Sequence, residues 1–105
     1  AIKKVFPEDE PPYILAKYLY KWCQHNNPRL RGKDLQAWAG DMDKLIRIDG
    51  FTPKEIQMVI KWSQEHHFWK GVVLSASKLR AQFDQLVVQA VHGEASGGVA
   101  IYQGD

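Results

Sequence analysis

The sequence predicts an all-α fold, a compact bundle of about four helices with flexible N- and C-terminal tails, and three observations predict it. Apolar residues recur at the three-and-four spacing of amphipathic helices in successive segments. Helix-start signals, among them a complete capping-box pattern, stand ahead of those segments. Neither an internal repeat nor a βαβ alternation is evident, so helices joined by short connections are the economical architecture. At 105 residues, 45% hydrophobic and 25% charged, the chain has the makeup of one small domain with a modest core. The expected division is a flexible segment over 1–10, a helical domain over 11–91 and a flexible tail over 92–105.

The first segment, "AIKKVFPEDEPP", lacks the apolar stretch of a signal peptide, and no run approaches the roughly 20 apolar residues of a membrane span. A cytoplasmic protein without membrane contact is expected. A chain opening at alanine in a polar, proline-broken stretch is expected to be one module of a longer protein.

"PPYILAKYLYKWCQHN" then places Leu15, Tyr18, Leu19 and Trp22 on one helical face, with proline allowed near the start. Lys17 and Lys21 fall elsewhere, one turn apart. "NNPRLRG" breaks this helix, because Pro28 and Gly32 bracket residues with no apolar period. From about Asp34 to Ile48, Leu35, Trp38, Ala39, Met42, Leu45 and Ile46 give the clearest helical pattern, ended by "DG". In "FTPKEI" Thr52 is the N-cap, Pro53 the first helical residue and Glu55 the capping-box partner. Ile56, Val59 and Ile60 form the buried stripe of this third helix. In "HHFWKGVVL" the period is lost and Gly71 permits a change of direction. Ser75 or Ser77 caps a fourth helix, whose Leu79, Phe83, Leu86 and Ala90 point inward. "HGEASGGVAIYQGD" reads as a tail, with "GVAIY" as its one strand-like stretch.

Chemistry is sparse. His66 and His67 are adjacent, and neighbouring residues on a helix point about 100° apart, so one ion rarely takes both. No third ligand accompanies them, His25 and Cys23 alone do not make a site, and no metal or cofactor is expected. Neither a nucleophile-elbow nor a phosphate-cradling glycine pattern occurs, which argues against a hydrolase or nucleotide-binding enzyme. The single cysteine, Cys23, is expected in the core. Asp41, Asp43 and Asp49 are expected to be solvated acids balancing Lys44 and Arg47. Trp22, Trp38 and Trp62 are assigned to the core or its edge, and burial is favoured less strongly for Trp69.

The charge distribution carries more information than the formal net charge of +2. Between Pro11 and Phe83 twelve cations face six acids, leaving the body at +6, and five cations with no acid lie between Lys17 and Lys33. Lys17, Lys21, Arg29, Arg31, Lys33, Lys70, Lys78 and Arg80 are therefore candidates for phosphate contact. Tyr20 beside Lys21 and Trp69 beside Lys70 are candidates for base stacking or partner contact.

The run "WAGDMDKLIRIDGFTPKEIQMVIKWSQEHHFWKGVVLSASKLRAQFDQL" resembles a segment near the C-terminus of bacteriophage replication proteins of the replisome-organiser or initiator type. The pattern is carried by Trp38, Leu45, Ile46, Asp49, Gly50, Glu55, Ile56, Val59, Ile60, Phe68, Trp69, Ser75, Lys78, Leu79, Arg80, Phe83 and Leu86. Such proteins look similar in role to DnaD-type primosomal proteins, which pair an N-terminal winged helix with a helical C-terminal module. The resemblance implies a noncatalytic module that binds DNA and helps bring a helicase loader or replicative helicase to an origin. The last helix lacks the tyrosine–isoleucine–tryptophan pattern of the DnaD module, so only this general role carries over. The resemblance also implies a junction in which Phe68, with Trp69, docks the third helix on the fourth. Lys70, Lys78 and Arg80 would then share an exposed edge. The competing expectation is a protein-interaction module that recruits a helicase loader or mediates self-association as a homo-oligomer.

Overall fold

A computed structural model of the protein describes residues 5–92. The first helix, α1, spans Pro11–Asn26, with both prolines in the first turn, where no intrahelical N–H bond is lost. It buries Leu15, Ala16, Leu19 and Cys23. The connector after it is an ordered turn: Asn27 Oδ1 accepts from the Arg29 N–H at 3.2 Å, and Leu30 N–H donates to Asn27 O at 2.9 Å.

Helix α2, Leu35–Arg47, starts where the Asp34 carboxylate accepts from the N–H groups of Gln36 and Ala37, at 3.0 and 3.2 Å. Trp38, Ala39, Met42 and Leu45 supply its buried face. Gly50 has φ +82°, a conformation that a side chain would strain. The reversal there brings the Phe51 N–H to Leu45 O at 3.0 Å. Helix α3, Pro53–Glu65, carries both halves of the expected capping box: Glu55 N–H to Thr52 Oγ1 at 3.1 Å, and Thr52 N–H to Glu55 Oε1 at 2.9 Å.

Beyond α3 the chain makes a 3₁₀ turn at Trp69–Gly71 and then enters α4, Ala76–Ala81, and α5, Phe83–His92. Ser75 is the α4 cap, accepting from the Lys78 N–H at 3.2 Å. The expected fourth helix is thus two helices that meet at Gln82, whose φ of −105° and ψ of 6° lie outside the helical region. The bend has a packing reason. Helix α4 lies on α2 while α5 lies on α3, and α1 crosses both α2 and α3; one straight helix would not follow both supports. Leu79, Phe83, Leu86 and Ala90 all point inward as expected, and the Phe83 ring meets Phe51 at 4.5 Å between centroids.

Three details depart from the sequence expectations. Trp69 is the junction residue, 5% exposed with its indole N–H donating to Gln89 Oε1 at 3.0 Å, whereas Phe68 is 56% exposed. The 3₁₀ turn swings consecutive side chains apart, so only one of the two rings can enter the core. Asp43 is not solvated: it is buried, and its carboxylate accepts from Arg47 Nε at 2.7 Å. Part of the N-terminal segment is also held, since Phe6 is buried and bonded through its N–H and C=O to the Gln36 amide, at 2.8 and 3.0 Å. The "GVAIY" stretch and the remainder of the tail from residue 93 lie outside the described residues. No described helix is long and apolar enough to cross a membrane.

Candidate nucleic-acid interface

Helix α1 and the turn after it contain no aspartate or glutamate from Pro11 to Lys33. Because the buried face of α1 is set by Leu15, Leu19 and Cys23, the helical period turns Lys17 and Lys21 outward, and both are exposed. Arg29, Arg31 and Lys33 are exposed on the turn at the C-terminal end of α1. Cations at this end also face the negative pole of the helix, which offsets their mutual repulsion.

Lys33 lies near enough to Cys23 for its charge to act on the thiol, although burial dominates and pushes the Cys23 pKa up to about 11. Lys70 borders a hollow of about 280 Å³ together with Cys23, Asn26, Asn27, Gln64, Gly71 and Leu74. The fold therefore brings Lys70, from the 3₁₀ turn, to the same end of α1 as Lys33. Gln64 is the side chain that builds this end. It is 1% exposed, its Nε2 donates to Val73 O at 2.8 Å, and its Oε1 accepts from Asn26 Nδ2 at 3.0 Å.

Lys78 is exposed on α4. Arg80 differs from the rest: its Nε and Nη2 donate to Asp49 Oδ2 and Oδ1 at 2.9 and 3.1 Å. That hydrogen bonding raises the guanidinium pKa above its ordinary value, and the charges of Asp49 and Asp41 add to the effect. Arg80 borders a hollow of about 490 Å³ that also holds Asp41, Asp49 and Asp84, an acidic setting. Arg80 and Lys70 line different hollows and are not drawn into one. The other seven cations make no ion pair with an acid among the described residues; the described pairs engage Arg47, Lys61 and Arg80.

The two aromatics singled out beside a lysine are placed differently. Tyr20 is half-buried, edge-on to Trp38 at 6.1 Å, and its hydroxyl accepts from Gln24 Nε2 at 3.0 Å. Trp69 is in the core. The structure instead turns Tyr18 and Trp22 toward a shallow hollow of about 300 Å³ shared with Lys21 and His25. A signal for this was present in the sequence: aromatics at 13, 18, 20 and 22 exceed what one buried face of a helix can take.

His66 is tied into the turn that follows α3. His66 Nδ1 accepts from the N–H groups of Phe68 and Trp69 at 3.1 and 3.4 Å, and the ring stacks on His67 at 4.7 Å. Among the described residues no three His, Cys, Asp or Glu side chains converge to hold a metal ion.

Comparison with known proteins extends the likeness beyond the motif-bearing run. Replication protein 15 of Enterobacteria phage phi80 is 30% identical over 74 residues, which is 70% of this chain and 24% of that protein. Replication protein O of Escherichia phage lambda is 27% identical over 73 residues, 70% of this chain and 22% of that protein. The chain thus spans about a quarter of the length of these relatives. No solved structure matches it. The model of the phage replication protein O C-terminal domain matches residues 14–93, from α1 through the end of α5. The chain belongs to the family of phage replication protein O C-terminal domains.

Proposed function

We propose that this domain is a noncatalytic DNA-binding module of a phage replication initiation protein, holding DNA by its phosphates and helping a helicase loader or replicative helicase to engage the origin. One observation carries the reading: exposed cations gather along the outer face and C-terminal end of α1, in a stretch with no acid. Lys17, Lys21, Arg29, Arg31, Lys33 and Lys70 are the phosphate contacts of this surface, with Lys78 outlying. Each contact releases condensed counterions, so affinity falls as salt rises. The replication role of the phi80 and lambda relatives supports the setting.

The test is fluorescence anisotropy of labelled single- and double-stranded DNA across a salt series, with Arg29→Glu/Arg31→Glu as the comparison. Affinity falling with salt, and a log–log slope reduced by about 0.7–0.9 for each contact removed, is the expected result. Salt-insensitive or absent binding would sink the reading.

A second reading, a protein-interaction module that recruits a helicase loader or drives self-association, draws on a different surface. Val88 and Val91 are exposed one turn apart on α5, while Met58 and Trp62 of α3 border the hollow at Ala90. Sedimentation as a monomer, with no partner captured by the isolated module, would count against this reading.

A further inference from the structure

The hollow on α1 combines a shape, a charge and a chemistry that point to the same ligand. Tyr18, Lys21, Trp22 and His25 sit at intervals of three, one and three residues, so their side chains fall on one stripe of α1 within about two turns. Tyr18 and Trp22 are half-buried, leaving part of each ring open, and Lys21 and His25 are exposed. The His25 ring stands edge-on to Trp22, with centroids 5.8 Å apart. This T-shaped contact braces the indole, so the side chain has less freedom left to lose when a ligand arrives.

The hollow is lined by four residues of α1 alone, so it lies on a convex helix surface. A duplex keeps its base faces stacked inside, where rings on such a surface cannot reach them. An unpaired base offers a free π-face, and an aromatic ring beside a cation is the chemistry that takes it while the cation meets the phosphate. Charge complementarity selects an anionic ligand: Lys21 lies in the stripe and Lys17 one turn before Lys21, and α1 contains no acid to oppose them. An acidic protein helix would satisfy the charge but would leave the open ring faces without a stacking partner.

We propose that the Tyr18–Lys21–Trp22–His25 stripe of α1 is a stacking cradle for unpaired nucleobases, which makes single-stranded DNA the preferred ligand of this domain. The proposal rests on the DNA-binding reading above and gives it a strand preference. In it, Trp22 and Tyr18 hold base faces, Lys21 meets the adjoining phosphate, and the cations at the end of α1 continue the path of the strand.

The experiment uses an oligothymidylate of about 20 nucleotides and a duplex of equal length, titrated against the chain and against Trp22→Leu and Trp22→Phe. Leucine keeps an apolar side chain on the core edge but removes the ring, and phenylalanine restores one. For folded Trp22→Leu, single-strand affinity is expected to drop about tenfold, with recovery to within about threefold for Trp22→Phe. The salt slope stays unchanged, because stacking removes no phosphate contact. Tryptophan fluorescence of the unmutated chain gives a readout that does not depend on the folding of the leucine variant. Oligothymidylate is expected to quench it, with that quench reduced in Trp22→Phe. Salt-dependent DNA binding that Trp22→Leu retains in full, or a quench that survives in Trp22→Phe, would overturn the cradle while leaving the DNA-binding reading standing. Equal or tighter binding of the duplex would do the same. Loss of binding to both strand forms in the unmutated chain would overturn both.

Discussion

Gln64 on α3 donates from Nε2 to the backbone carbonyl of Val73 at 2.8 Å, while its Oε1 accepts from Asn26 Nδ2 of α1 at 3.0 Å. One buried amide therefore ties the end of α1, the end of α3 and the segment leading into α4. Cys23 lies against the same carbonyl, Sγ to Val73 O at 3.8 Å. No buried side-chain nitrogen or oxygen of this cluster lacks a partner, which makes the arrangement specific and costly to interrupt.

Gln64→Leu is expected to destabilise the domain by about 2 kcal/mol, because the Val73 carbonyl loses its amide donor and Asn26 loses one of two acceptors. Urea unfolding followed by circular dichroism measures this directly. A loss below about 0.5 kcal/mol would show that the cluster does not hold the three segments together.

Phe6 lies outside every helix yet is buried against α2, with Gln36 bonded to both its N–H and its C=O. Phe6→Ala is expected to cost about 3 kcal/mol, in the range for removing a buried aromatic ring. Gln36→Ala removes only the polar clamp and is expected to cost about 1 kcal/mol. Denaturation midpoints of the two variants check both the values and their order.

Arg80 is committed to Asp49 and faces Asp41, whereas Lys21 stands free of acids among the described residues. In DNA titrations Lys21→Ala is expected to lower the salt slope by about 0.7 for single strands, and Arg80→Ala to leave it unchanged. Equal reductions would mean that the Arg80–Asp49 pair opens to receive a phosphate.

Burial raises the Cys23 pKa from 9.0 to about 11, with Lys33 pulling it down by a smaller amount. Below pH 9 the thiol is protonated in both the folded and the unfolded chain, and its contribution to stability is complete. As pH rises from about 9 toward 11 the unfolded chain ionises first, so stability drains over that window. Unfolding measured across the window should show a steeper decline for the protein than for Cys23→Ala. At pH 8 the native thiol should resist iodoacetamide and react once the chain is unfolded.

The first three helices were legible because local rules decide them. The Thr52–Glu55 capping box, the glycine after α2 and the three-and-four apolar spacing act within a turn or two of chain. The inward face of Leu79, Phe83, Leu86 and Ala90 was legible for the same reason. The break at Gln82 was not, because nothing in "KLRAQFDQ" forbids a continuous helix. It arises from packing α4 and α5 against different supports.

The chemistry-bearing positions divide along the same line. Composition and spacing determined by themselves that α1 and its turn would carry five cations and no acid, and that no three-ligand metal spacing accompanied the histidine pair. Only the tertiary structure decided which aromatics stay open: Trp69 turns into the core while Trp22 and Tyr18 stop halfway. It alone decided that Arg80 meets Asp49 across 31 residues and that Lys70 arrives beside the end of α1. The physical reason is range. Caps, periods and charge runs are set by neighbours along the chain, whereas burial and ion pairing are set by neighbours in space, which a sequence names only after it has folded.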